Sequence, residues 1–224
     1  MERLLKINLV GPSGMGKTTL AKWISDKYNI PFVSGSYSDL VPSTAKTSQG
    51  DMVNAPVEEI LRDDYKLLNL RKKLYYEHEN HVSDRSFVDS AAYFINKLSH
   101  RVQQCETENF IEICRSLTLA YSQYLIYLPA GKEHINKWMV EDNHKRSTNL
   151  FYHIEISQII DWLMFDFWGF EKTGGNYRYK LDNLEDHWVK NPYKLTETKL
   201  LVIPPVVTDF EHRCKLVSEF IENE

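Results

Sequence analysis

Cysteine is scarce in this 224-residue chain, which has only three: Cys105, Cys114 and Cys214. They lie far apart and form no Cys-x-x-Cys pair, so they argue against a disulfide framework or a zinc site and favour buried free thiols in a reducing compartment. An apolar signal segment is missing from the N-terminus, and the most hydrophobic stretch, residues 159–168, is too short to cross a bilayer. We therefore expect a cytoplasmic protein without a membrane partner.

An excess of positive charge is also missing. Lysine and arginine total 27 against 31 aspartates and glutamates, a formal net charge of -4. Proteins that hold duplex DNA by charge are usually basic, because neutralising phosphates drives that affinity. This charge balance argues against a dedicated DNA-binding module, but it does not exclude a local basic groove. With 42% hydrophobic and 26% charged residues, the composition fits a single domain spanning 1–224.

Glycine is sparse too, yet three of the nine glycines fall between positions 11 and 16. The stretch Gly11-Pro-Ser-Gly-Met-Gly-Lys-Thr18 fits the phosphate-loop pattern G-x-x-x-x-G-K-[ST] without a mismatch. Glycines let the backbone curl so that its N–H groups face phosphate oxygens, and the following helix adds the positive end of its dipole. Lys17 would reach the β- and γ-phosphates of ATP, and the Thr18 hydroxyl would ligate Mg²⁺. The expected nucleotide-binding residues are Gly11, Ser13, Gly14, Met15, Gly16, Lys17, Thr18 and Thr19.

Strands and helices alternate along the chain. Hydrophobic patterns predict strands at 4–10, 30–33, 81–83, 124–128 and 199–203. Helices are predicted at 17–28, 57–80, 87–99, 107–121, over about twenty residues ending near Gly169, and at 209–222. Such alternation implies a parallel sheet flanked by helices, the three-layer α/β fold of P-loop NTPases. Residues 131–148 are polar and form a candidate lid, and residues 170–195, without a clean pattern, are interpreted as an insertion.

An aspartate and an arginine follow the predicted strand at 81–83. Ligands gather at the carboxyl ends of parallel strands, so we expect Asp84 and Arg85 near the phosphate loop. Asp84 would bind Mg²⁺ through water or orient the acceptor oxygen, and Arg85 would take a phosphate oxygen. The alternative is that Asp84 only caps the helix at 87–99.

Two further motifs are missing from the sequence. Downstream of Asp84-Arg85, no apolar strand ends in the isolated Asp or Asp-Glu typical of motor ATPases; the strand at 124–128 ends in Pro129-Ala130 instead. No Asn-Lys-x-Asp type guanine-reading sequence is present either. Both absences favour a small kinase over a motor ATPase or a GTPase.

The remaining candidates lie in polar segments. Arg146, with Lys145 second, would be the lid cation that stabilises transition-state charge, unless this segment is simply a solvated loop. The acceptor is expected at residues 35–42, where Asp39 would accept a hydroxyl proton and Tyr37 would stack on a base. Lys145 is a further candidate for acceptor binding. The alternative for 35–42 is a surface turn held by side-chain hydrogen bonds.

Taken together, these motifs resemble the thymidylate-kinase-like and nicotinamide-riboside-kinase-like group of P-loop enzymes, many of them phage-encoded. The resemblance covers most of the chain and implies Mg²⁺ and acceptor handling by Asp84 and Arg85, and a lid role for Arg146. Asn143-His144 departs from the Asp-Gly common in relatives, and 170–195 has no counterpart there. The resemblance rests on residues 11–18, Asp84-Arg85-Ser86, Asp89, Ala92-Tyr93, 129–146 and the terminal strand–helix pair.

These observations favour a kinase that moves the γ-phosphate of ATP, with Mg²⁺, to a nucleoside or nucleoside monophosphate, with a pyrimidine deoxynucleotide preferred. One alternative, known from phage members of the group, is phosphorylation of a hydroxymethylated pyrimidine within DNA, which would make DNA a partner and the host cytoplasm the location. A second is a regulator that binds ATP or GTP without transferring phosphate. The acceptor, the donor base and the oligomeric state, including a homodimer, stay open.

Overall fold

The computed structural model describes residues 4–36, 40, 55–131, 150–173, 176–180 and 197–223. Its strands are β1 (Lys6–Val10), β2 (Phe32–Val33), β3 (His81–Ser83), β4 (Tyr124–Tyr127), β5 (Glu171–Thr173), β6 (Asn176–Lys180) and β7 (Glu197–Val202). Its helices are α1 (Lys17–Tyr28), α2 (Val57–Glu77), α3 (Phe87–Leu98), α4 (Gln104–Tyr121), α5 (Leu150–Asp161) and α6 (Phe210–Glu222), and a π-helical segment (Trp162–Phe167) follows α5.

The strands form one sheet in the order β2-β3-β1-β4-β7-β6-β5. The first five strands in this order are parallel. β6 and β5 join in antiparallel orientation beyond β7. All five residues of β1 are buried, as expected for a parallel strand covered on both faces. The predicted three-layer α/β fold is confirmed.

Two apolar clusters cover the two faces of the sheet. Alternate residues of β1 separate them: Ile7 and Leu9 pack with α1 and α6, and Val10 packs with α2, α3, α4 and α5. This period of two is the alternation that a strand imposes on its side chains. Because β1 and β3 are parallel neighbours, their carboxyl ends lie side by side at one edge of the sheet.

The structure adds detail to two predictions in the second half of the chain. The expected helix of about twenty residues ending near Gly169 is confirmed: α5 continues directly into the π-helical segment, which ends at Phe167. The supposed insertion at 170–195 contains β5 and β6, which extend the sheet. A Gly-Gly pair between two short stretches is a hairpin signal, and Gly174-Gly175 is such a pair in the sequence. Of the predicted lid, only residue 131 lies within the described part of the chain.

The cysteines agree with prediction in part. All three are free thiols; Cys114 and Cys214 are buried, but Cys105 is exposed, contrary to the expectation of a core position. In the part of the chain that the structure describes, no helix combines the length and apolar character needed to span a membrane.

Candidate functional site

The loop between β1 and α1 has the backbone shape that its glycines allow. Gly11, Gly14 and Gly16 have φ angles of 137°, 84° and 81°, which side chains rarely adopt. A Cβ on Gly11 would overlap the carbonyl oxygen of Leu128, because β4 runs directly beside β1. Gly16 precedes α1 and, lacking a side chain, provides no side-chain cap for the first amides of the helix. Such a helix start favours an anion.

Lys17 lies inside this loop. Its Nζ donates hydrogen bonds to the carbonyl oxygens of Gly11 and Pro12, and its side chain is buried. The ammonium group is thus held over the main chain of the loop, where it adds positive charge to the helix start.

Thr18 and Asp84 are in direct contact. Thr18 Oγ1 donates to Asp84 Oδ2 at 2.6 Å, and Asp84 Oδ1 accepts from the Gly35 amide at 3.3 Å. Asp84 is only 5% exposed. The pairing of β3 with β1 brings the two side chains together across 66 residues of sequence. The alternative role for Asp84 as a helix cap is wrong, because Ser86 is the N-cap of α3.

Arg85 reaches the phosphate loop from the same strand end. Its Nη2 donates to Ser13 Oγ at 3.3 Å, and its Nη1 lies 4.0 Å from Asp89 Oδ1. Burial lowers the pKa of Arg85, but nearby Tyr93, Asp89 and Asp84 outweigh burial and raise it overall. The guanidinium is therefore a permanent cation at the mouth of the loop.

Asp89 is a site residue to which the sequence analysis gave no role. Its Oδ1 accepts from the Gly11 amide at 3.0 Å, and its Oδ2 accepts from the Ser86 amide and hydroxyl at 2.8 and 2.9 Å. It is 2% exposed and completes a capping box with Ser86. Asp89 therefore joins α3 to the first residue of the phosphate loop. The Ser-x-x-Asp spacing was the signal that could have identified it.

Two buried side chains of helix α2 bond the main chain that follows β2 and β3, and the sequence analysis also missed both of them. Arg71 donates to the carbonyl oxygens of Ser86 and Gly35 at 2.6 Å, and to Ser90 Oγ at the same distance. The Tyr75 hydroxyl, one turn later, donates to the carbonyl oxygen of Arg85. These bonds fix the main chain that follows Asp84 and the Gly35 residue whose amide donates to Asp84.

The last helix contributes Arg213, a third missed residue. Its Nη1 donates to the Met15 carbonyl oxygen at 2.9 Å and its Nε to the Val207 carbonyl oxygen at 2.8 Å. A Cβ on Gly16 would lie 3.2 Å from Arg213 Nη1. Burial lowers the pKa of Arg213. No local pattern marks this residue, because its partner Met15 is 198 positions away.

Thr19 is an exposed residue in the first turn of α1, and the predicted residues Tyr37, Asp39, Lys145 and Arg146 lie outside the described residues. Within those residues, no group of three or more His, Cys, Asp or Glu side chains is placed to hold a metal. Mg²⁺ does not need such a group, since proteins often hold it by one or two carboxylates together with substrate phosphates. The adjacent oxygens of Thr18 and Asp84 fit that pattern.

A family model described as "AAA domain" matches residues 6–161, more than half of the chain. The match includes the phosphate loop, Asp84, Arg85 and Asp89. A comparison with curated proteins finds no match.

Solved structures share the fold. Deoxyadenosine kinase from M. mycoides with bound dCTP superimposes with a TM-score of 0.65 at 15% sequence identity, covering 98% of this chain and 100% of the kinase chain. The YorR protein of Bacillus subtilis, in complex with phosphorylated GDP, gives a TM-score of 0.51 at 15% identity and covers 96% and 95%. At this identity the likeness establishes the fold alone.

Proposed function

The chain belongs to the AAA domain family, and from its site we propose that it is an ATP- and Mg²⁺-dependent kinase acting on a nucleoside or nucleoside monophosphate. The observation that carries the proposal is the contact of the acid–arginine pair with the phosphate loop. Asp84 bonds Thr18 at 2.6 Å, and Arg85 bonds Ser13 at 3.3 Å. A phosphate loop alone does not distinguish a kinase from other nucleotide-binding proteins, and this pair adds the carboxylate and the cation that phosphate transfer uses.

The proposed reaction uses the side chains at this edge of the sheet. Thr18 and Asp84 would hold Mg²⁺, which would supply positive charge that neutralises the phosphates of the donor. Lys17 would exchange its carbonyl partners for a phosphate oxygen, and Arg85 would neutralise the transferred group. The acceptor oxygen attacks the γ-phosphorus as the bond to the β-phosphate oxygen breaks, and the electron pair leaves with ADP. We retain Arg146, and secondarily Lys145, as proposed lid cations.

The acceptor side is proposed at the end of β2, where the Gly35 amide meets Asp84 Oδ1. A monophosphate acceptor attacks as an anion, whereas a hydroxyl acceptor must lose its proton, for which Asp39 is our candidate. Tyr37 would stack on the acceptor base. The M. mycoides kinase was solved with dCTP and with the products dCMP and dCDP. The same kinase was also solved with dATP, so these complexes support a deoxynucleotide, and the preference for a pyrimidine is our proposal from the sequence. We also propose a cytoplasmic location, where thiols stay reduced.

A transfer assay with γ-labelled ATP and Mg²⁺ tests the proposal. The acceptors are deoxycytidine, thymidine, dCMP, dTMP and duplex DNA carrying 5-hydroxymethylpyrimidines, with a reaction lacking any acceptor as the baseline. We expect label on a free deoxynucleoside or deoxynucleotide. Label on DNA alone would instead support a DNA-base kinase, and ADP formation independent of every acceptor would support a nucleotide-binding ATPase.

Arg85→Ala separates the kinase from the nucleotide-binding regulator. Loss of a cation that stabilises the transferred group costs on the order of 100-fold in turnover. Arg62→Ala, which removes an exposed arginine of α2, is the matched control. An Arg85→Ala protein with unchanged turnover and unchanged ATP affinity would contradict the kinase proposal.

A further inference from the structure

A buried cation lies behind the phosphate loop and is not used by the proposed reaction. Arg213 is 3% exposed, and its guanidinium donates to two neutral carbonyl oxygens, those of Met15 and Val207. Among the described residues, no carboxylate pairs with it, and the nearby Asp209 instead caps α6 by accepting from the His212 amide. A buried charge without a counter-charge is costly, so its position calls for an explanation.

The position is informative because the guanidinium contacts the loop immediately before α1 begins. Met15 and Gly16 form the turn that leads into α1, and Gly16 has a φ of 81°. Arg213 Nη1 donates to the Met15 carbonyl oxygen at 2.9 Å. Fixing that carbonyl orients the peptide plane it shares with the Gly16 amide, because the peptide unit is planar. The N–H groups of this turn are the donors that a phosphate loop offers to its ligand.

We propose that Arg213 is a positioning residue for the donor nucleotide: it clamps the Met15–Gly16 turn to the segment after β7, and its buried charge is compensated when the triphosphate binds. The inference rests on the proposed function only in requiring that the loop binds ATP. It makes α6, 198 residues away from the loop in sequence, part of the donor site.

The two components of this role can be separated by substitution. Arg213→Gln removes the charge and retains hydrogen-bond donors, whereas Arg213→Lys retains the charge and cannot bond both carbonyls in the same way. A charge-assisted hydrogen bond contributes about 1.5–3 kcal/mol, which corresponds to roughly 10- to 100-fold in affinity. We expect Arg213→Gln to weaken ATP binding in this range, and Arg213→Lys to weaken it about threefold to tenfold.

The experiment is calorimetric titration of the full chain with Mg-ATP, Mg-ADP and dCMP, together with thermal unfolding of each unliganded variant. Arg62→Gln is the matched control, because its side chain is 73% exposed. We expect ATP affinity to fall more than ADP affinity, and dCMP affinity to stay unchanged. A purely structural role would lower the melting temperature and affect all ligands alike.

Unchanged ATP affinity in Arg213→Gln overturns the proposal. If that variant does not fold, Arg213→Lys replaces it, because lysine preserves the buried charge. Unchanged ATP affinity in Arg213→Lys would then overturn the proposal. Failure of the proposed kinase function is a separate result, since it appears as ATP binding without transfer to any acceptor. Loss of ATP affinity in Arg213→Gln would still support the positioning role in that case.

Discussion

Asp89 provides the sharpest test of how the two halves of the site are joined. Its carboxylate accepts from the Gly11 amide on one oxygen and from the Ser86 amide and hydroxyl on the other. Asp89→Ala would leave both buried amides without this acceptor. Each unsatisfied group costs about 1–3 kcal/mol, so we expect a loss of roughly 3–5 kcal/mol, a large part of the stability of an ordinary domain.

Asp89→Asn is the more informative variant because it retains the shape of the side chain. Its single oxygen serves either Gly11 or Ser86, and the NH₂ group then faces a donor on the other side. We expect a loss of about 1–3 kcal/mol, for which the protein still folds. The negative charge 4.0 Å from Arg85 is also lost. Since Gly11 and Arg85 belong to the proposed site, kcat/KM should fall by roughly 10- to 100-fold.

Urea denaturation and steady-state kinetics measure the two effects on the same samples. Asp26→Asn, a substitution at an exposed position of α1, is the control and should change neither quantity. Wild-type stability together with wild-type kcat/KM in Asp89→Asn would refute the idea that this carboxylate joins α3 to the phosphate loop.

Three further predictions address the loop and the core. Lys17→Ala should abolish ATP turnover while circular dichroism stays native, because its Nζ bonds the loop carbonyls of Gly11 and Pro12 and would contact the phosphates; turnover near wild type would contradict its assigned role. Gly11→Ala should destabilise the protein by about 2 kcal/mol or more in urea denaturation, since φ is 137° and the added Cβ overlaps the Leu128 carbonyl. Burial lowers the pKa of Lys6 to about 7, while Glu79 opposes that shift. The unfolded chain therefore binds more protons between about pH 7 and pH 10.5, and stability should rise with pH in that window. Lys6→Met should raise the melting temperature near pH 7, and this gain should shrink toward pH 10; a gain independent of pH would contradict the explanation.

Local sequence was sufficient for the phosphate loop because its glycines, lysine and threonine lie within eight residues. Asp84 could also be predicted, since a carboxylate at the end of an apolar strand lies at the ligand-binding edge of a parallel sheet. The contact with Thr18 then follows from the direct pairing of β3 with β1. The boundaries of α1 and β3 agree with prediction because the glycine loop and the Asp84-Arg85 step end the apolar patterns sharply.

The supporting residues could not be predicted because their partners are set by tertiary packing. Arg71 lies on α2, and its polar partners after β2 and β3 become neighbours only when that helix covers the sheet. Arg213 depends on the packing of α6 against α1. The hairpin of β5 and β6 was missed for a different reason: its strands are short and contain many polar residues, so the hydrophobic pattern does not reveal them.

The distribution of charge explains why an acidic chain can still have an anion site. Lys17, Arg85 and Arg213 bond residues of the phosphate loop, whereas the acidic groups at the same edge are Asp84 and Asp89. Two of these cations are buried and the third is mostly buried, so salt screens them less than it screens surface lysines. A site built in this way suits a small polyanion that enters the loop. It differs from an extended basic surface, whose affinity for DNA depends on releasing many counterions and falls steeply with salt. A net charge of -4 over the whole chain is therefore compatible with a locally basic phosphate loop.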